Sequence, residues 1–257
     1  MSTSLRTAGA ALTAVAALTA TTTLAGAAGP AAGPASGPAR PAPRFPRTVP
    51  VPTLPRPEDF VARVTHPYFP LRPGSRGVYR TVGGSAVQRD TVTVLARTRT
   101  VLGIEATVVH DVARENGEVI EDTYDWYAQD RTGTVWYLGE DTTSYDGGQV
   151  SHEGSWEAGV DGAYAGIAMP ADPELGAPYR QEYLRGSAED QGVVLDVRGK
   201  VTVGSQLYRR VLMTRDYTRL EPTLVELKFY ARGVGNVMEL GVSPQAERVV
   251  LVRFRRG

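Results

Sequence analysis

The run Leu224-Val225-Glu226-Leu227-Lys228-Phe229-Tyr230-Ala231 changes character at every second residue. Period two is the mark of a β-strand, whose successive side chains leave opposite faces. Val225, Leu227 and Phe229 are expected on a buried face, and Glu226, Lys228 and Tyr230 on the other. Two further runs read the same way. Val92, Val94 and Ala96 alternate with threonines, and Val250, Val252 and Phe254 form one side of the final strand. This is the pattern of an antiparallel sheet with one buried face.

Strand-like runs fall at 77–82, 87–98, 104–114, 118–129, 134–140, 179–186, 193–203, 208–217, 224–231, 237–241 and 248–255. The turns between them have a mechanism. Asn116-Gly117 suits a type I′ hairpin, and the glycines of 130–133 and 146–148 supply positive φ. Gly233-Val234-Gly235 reads as a hairpin turn. Helical character is confined to 59–63 and one turn at 172–175. Short strands, tight turns and no internal repeat predict a mainly β fold with little helix. The expected architecture is an antiparallel meander closed or half closed into a barrel.

Ahead of this body lie two segments of different composition. Arg6, an apolar run from Ala8 to Ala20 and the small residues Ala25-Gly26-Ala27 have the order of a secretory signal, assigned to 1–27. The run is broken by threonines and is short for a membrane span of ~30 Å. Residues 28–57 hold ten of the eighteen prolines, which favour an extended, solvated spacer. A single β-rich domain then occupies 58–257. The expected location is secreted or extracellular, close to the cell wall, without a stable membrane anchor.

The chain has no cysteine, which excludes disulfides, thiolate metal sites and a cysteine nucleophile. Five of its 28 basic residues precede Glu58, leaving 23 against 28 acids in the body. A mildly acidic body argues against a nucleic-acid partner, which needs a clustered basic surface. A monomer is expected.

One region stands apart. Trp126, Trp136 and Trp156 fall close together, and twelve acids lie between Glu115 and Asp161. On the strand 118–129, Ile120, Tyr124, Trp126 and Ala128 share one face; Glu121, Thr123, Asp125, Tyr127 and Gln129 share the other. Two readings stay open. Trp126 and its neighbours are core and the acids a solvated face; or the polar face lines a concave pocket where rings stack on a ligand. The candidate ligand-binding residues are Glu121, Asp125, Tyr127, Gln129, Trp136, Tyr137 and Trp156. The stretch 154–173 is expected as an ordered loop closing one barrel mouth.

For catalysis, paired carboxylates are the most plausible chemistry, and Asp125, Glu140 and Glu182, each beside an aromatic, are the candidates. Arg180 and Glu182 read equally well as a surface ion pair. No nucleophile elbow, phosphate loop or dinucleotide fingerprint is present. His66, His110 and His152 are far apart, so no metal site is assigned and no cofactor is expected.

The segments His66-Pro67-Tyr68-Phe69-Pro70-Leu71-Arg72-Pro73-Gly74, 121–130 and 133–140 resemble those of a group of secreted actinobacterial proteins of no assigned activity. That resemblance implies secretion and a β-rich domain. The opening Tyr68-Phe69-Pro70-Leu71 with Pro73-Gly74 is also similar to exported half-barrel families akin to lipoprotein carriers. Those place an aromatic two positions beyond the glycine, where this chain has Arg76, with Tyr79 further on. The function expected is a secreted binding module with an aromatic and acidic pocket for an apolar or glycan-like ligand. The alternative is a secreted hydrolase or lyase acting on a glycan polymer through carboxylate and tyrosine chemistry. The residues leave open whether the chain is an enzyme.

Overall fold

The computed structural model describes residues 48–82, 87–243 and 247–257. The assigned signal and the first part of the proline-rich segment lie outside them. A short 3-10 turn, Pro57–Asp59, leads to β1 (Phe60–Val61) and to the hairpin β2 (Val64–His66) and β3 (Phe69–Leu71). Then come β4 (Arg76–Val82), β5 (Gln88–Val101), β6 (Ile104–Glu115), β7 (Glu118–Asp130) and β8 (Val135–Asp146). Five short strands follow: β9 (Gln149–Ser151), β10 (Trp156–Glu157), β11 (Tyr164–Met169), β12 (Pro178–Arg180) and β13 (Glu182–Tyr183). The last group is β14 (Asp190–Val203), β15 (Gln206–Thr218), β16 (Val225–Ala231), β17 (Gly235–Ser243) and β18 (Arg248–Arg255).

The strands form one antiparallel path in the order β14-β15-β16-β17-β18-β4-β5-β6-β7-β8-β11. Its two edges are joined by a single stretch of chain. Pro178–Arg180 pairs with β14, Glu182–Tyr183 pairs with β11, and the Gln181 N–H between them donates to Asp190 O at 2.9 Å. The expected antiparallel meander is therefore a nearly closed barrel, almost entirely strand. Closure needs Gly166 on β11, because a Cβ there would meet Gln181 O at 2.2 Å. Asn116-Gly117 forms its hairpin with both residues at positive φ, 51° and 96°.

Several local expectations give way. The 59–63 segment forms strand β1 after the 3-10 turn, which lets it add to β7. No helical turn forms at 172–175. The 154–173 stretch is not a loop: β10 and β11 within it pair with β8 and supply part of the wall. Residues 48–57, read as solvated spacer, lie against the barrel. Val49 is buried, and its carbonyl accepts from Arg180 Nε at 2.7 Å.

The expected faces of β16 are exchanged. Lys228 and Tyr230 are buried, whereas Val225, Leu227 and Phe229 are only half covered. In a barrel the inner face is sealed from water by the opposite wall, whatever its polarity. The outer face keeps its apolar groups partly covered by one another. On β18 the pairing shifts between Leu251 and Arg253, so Val252 is exposed rather than aligned with Val250.

The hairpin β2–β3 belongs to no other strand and plugs the lumen. Its Phe69 ring meets Tyr127 edge-on at 5.2 Å and reaches Tyr230 at 6.5 Å, two residues of opposite walls. Thr65 N donates to Gln129 Oε1, and Gly233 N to Pro67 O, both at 2.8 Å.

Candidate functional site

Strand alternation sends Thr123, Asp125 and Tyr127 of β7 inward, and register brings Glu140 of β8 opposite Asp125. A bulge between Trp126 and Tyr127 sets Tyr127 across from Tyr137, so their rings stack at 4.9 Å. Tyr137 donates to Asp125 Oδ1 at 2.8 Å; the Tyr127 hydroxyl lies near the same carboxyl without the alignment of a hydrogen bond. Trp156, on β10, packs edge-on against Tyr137 at 5.1 Å and donates Nε1 to Glu182 Oε2 at 3.1 Å. Thr142 donates to Glu140 Oε2 at 3.0 Å. The three candidate acids thus converge around one tyrosine, although Glu182 comes from a distant part of the chain.

They converge away from water. Asp125, Glu140 and Glu182 are 1 %, 4 % and 0 % exposed, and each keeps one oxygen without a hydrogen-bond partner. Burial disfavours the charged form, so the Asp125 carboxyl is pushed up to about 7, and Glu140 and Glu182 well above the usual carboxylate range. Neighbouring carboxyls push the same way. Asp90 of β5 and Asp111 of β6 extend this acidic lining; burial raises Asp90 to about 7 and Asp111 well above its ordinary value. Burial along this wall therefore favours the protonated form of each carboxyl.

A second cluster lines the opposite wall. Lys228 Nζ pairs with Asp216 Oδ2 at 3.0 Å, and the same oxygen accepts from Gln181 Nε2 at 3.0 Å. Tyr79 donates to Asn236 O at 2.9 Å, and the Asn236 amide donates to Glu239. Sequence reasoning missed these residues by assigning Lys228 to a solvated face. The usable signal was that one of only two lysines sits in the middle of a strand beside two aromatics.

The seven candidate ligand residues do not form one surface. Asp125, Tyr127, Tyr137 and Trp156 meet in the interior. Glu121 is half-buried and accepts from Ser144 Oγ at 3.3 Å. Gln129 holds the plug. Trp136 points the other way and donates Nε1 to Asp130 Oδ2 at 2.8 Å. Trp126 is also outside the lumen, with the Arg99 guanidinium 3.9 Å over its ring. The acids expected on a solvated face are interior, and the rings expected to stack on a ligand stack on one another. Arg180 and Glu182 are both buried with separate partners, so they are no surface ion pair.

The histidines remain apart. His110 contacts Asp122 at 2.9 Å and stacks on Tyr124, while His66 and His152 lie against Ala171 and Thr142. Among the described residues no three His, Asp or Glu side chains come together as a metal site.

Open space lies beside the plug. A half-open cavity of about 40 Å³ is lined by Phe69, Leu71, Val92, Val94, Val234 and Phe254, with Tyr79 and Asn236 at its polar side and Arg76 also in its wall. It sits at the barrel end where β4 begins and β18 finishes. Sequence reading gave no hint of it, because its walls come from four separate regions of the chain.

No protein-family model matches the chain, and no curated protein matches it. Among solved structures, a protein of YmcC-like fold from Bacteroides fragilis is similar at 11% identity and a TM-score of 0.42, over 74% of this chain and 100% of that one. A protein from Parabacteroides distasonis assigned as a lipoprotein is similar at 10% identity and a TM-score of 0.39, over 74% and 99%. No helix among the described residues is long and apolar enough to cross a membrane.

Proposed function

We propose that this chain is a secreted binding module that takes a small apolar group into the cavity beside the β2–β3 plug. The observation that carries the reading is the cavity's lining, seven apolar side chains, Pro70 included, with a few polar groups beside them. Pockets that bind small molecules have that composition. The space suits the end of a ligand rather than a whole lipid, since about 40 Å³ holds only a few atoms. A larger guest requires the plug to shift, and the plug shares no strand pairing with the wall.

The hydrolase reading is less well supported. Its three carboxyls converge, but a polymer must reach them, and none of the three meets solvent. Their surroundings favour holding a proton over attacking an exposed glycosidic bond.

The test is native mass spectrometry on protein from culture supernatant, followed by a thermal-shift screen of short fatty acids, branched alcohols and oligosaccharides. Val92→Trp and Val94→Phe fill the cavity and should abolish the shift given by any apolar ligand found. A ligand that still binds both variants sits elsewhere, and the cavity loses its role. Binding of oligosaccharides alone would also remove this reading.

A further inference from the structure

Four segments follow one another around the end of the barrel that bears the cavity: 197–210 at the β14–β15 turn, 231–235 at the β16–β17 turn, 251–257, and 71–79. None contains Asp or Glu. The hairpin carries Arg198, Lys200, Arg209 and Arg210. The next turn adds Arg232, the end of β18 adds Arg253, Arg255 and Arg256, and the start of β4 adds Arg72 and Arg76. All are exposed, and none makes an ion pair among the described residues. Arg256 donates to Gly233 O, next to the cavity-lining Val234, and Arg232 lies over the ring of Tyr68 in the plug hairpin. The one carboxylate that reaches the arc is Asp196, which accepts from the Arg198 backbone N–H at 2.8 Å and makes no ion pair with these side chains.

This arrangement works against the fold. Lys200 stands directly across from Arg209, and Arg76 across from Arg255. Like charges opposed across strands destabilise a sheet. Arg210 adds a non-glycine residue at φ 53°. The rest of the body is acidic, so counter-charges are plentiful in the sequence, yet Asp196 alone stands beside these ten cations. A cationic arc that the fold does not need fits an anionic partner.

The apolar groups on the same arc say which kind. Leu207, 42 % exposed, is paired with Thr202 one step nearer the turn, on the face that carries Lys200 and Arg209. Half-buried Val234 and Phe254 border the cavity between the arginines. A soluble polyanion would need only the charges. An apolar tip and an apolar mouth surrounded by cations match a lipid headgroup layer, where apolar groups enter the interface and cations meet phosphates. We propose that this rim docks the barrel on an anionic phospholipid bilayer with the cavity mouth toward the headgroups. Docking does not depend on whether the cavity holds a ligand, and it is measured without one.

The experiment is co-sedimentation of the full mature chain with vesicles of phosphatidylcholine alone or with one quarter phosphatidylglycerol. The expected result is binding to the anionic vesicles only, weakening as salt shortens the screening length below ~8 Å. The variant Lys200→Gln/Arg209→Gln should lower partitioning roughly fivefold for each cation removed. Arg76→Gln/Arg255→Gln, at another segment of the rim, should repeat the loss if the first pair disturbs folding. Both variants keep the linker arginines Arg40, Arg44, Arg47 and Arg56, so undiminished binding by two variants that melt like wild type would assign the attraction to the linker and overturn the proposal. Equal binding to neutral vesicles would overturn it too. Retention by inorganic polyphosphate without vesicle binding would assign the rim to a soluble polyanion instead.

Discussion

Asp125 takes a hydrogen bond from Tyr137 on one oxygen and has none on the other, inside a wall of tyrosines and further carboxyls. Burial pushes its carboxyl up to about 7, against about 3.9 in an unfolded chain. Between those values the folded state binds more protons than the unfolded state, so stability falls as pH rises from about 4 to about 7. Above that range both states are ionised and the loss levels off. For this one group the loss is roughly 4 kcal/mol at most, because coupling to its neighbours and relaxation both reduce it. Asp125→Asn keeps an acceptor for Tyr137 and cannot ionise. Its melting temperature should decline less than wild type's between pH 4 and pH 8, leaving the variant the more stable of the two at pH 8. Parallel melting curves across that range would show that Asp125 is not held neutral.

Among the elements, the 178–183 stretch has the largest consequence for its size. It spans the gap between β14 and β11, and it fits only because Gly166 presents no side chain to the backbone of Gln181 and Glu182. Gly166→Ala should therefore force the seam apart and cost about 1–3 kcal/mol or more, the usual range for overpacking. Gly117→Ala is the control. Its φ is 96° but nothing lies within 4 Å of the added Cβ, so only backbone strain of order 1 kcal/mol is expected. Urea unfolding measures both; a Gly166→Ala loss no larger than the control's would mean that the seam does not hold the barrel shut. Amide exchange should rise in β11 and β12 before it rises in β5 and β6.

In the whole molecule, polar and apolar groups are distributed in a way that single strands do not announce. Buried carboxyls, tyrosines and the Lys228–Asp216 ion pair line the lumen, whereas Trp126 and Trp136 pack outside it. Export belongs to this scale as well. The order of Arg6, apolar run and Ala25-Gly26-Ala27 predicts a mature chain beginning near residue 28. Amino-terminal sequencing of protein from culture supernatant should find that start, and an intact Met1 would end the secretory assignment.

Alternation and turn chemistry were enough to determine most strands, the antiparallel meander and the scarcity of helix. These depend on neighbours in sequence, through the pleat of a strand and the φ of a turn. The sequence also picked out Asp125, Glu140 and Glu182, each by an aromatic beside it, without showing that they meet. Which face of β16 or β7 looks inward was not legible, because period two defines two faces and says nothing about which one the opposite wall will cover. The reversal of Lys228 and Phe229 follows from closure, and closure rests on contacts such as Gly166 with Gln181 that no local pattern contains. The cavity and the cationic rim are likewise tertiary, since each is assembled from chain segments far apart in sequence whose adjacency is fixed only by strand order around the barrel.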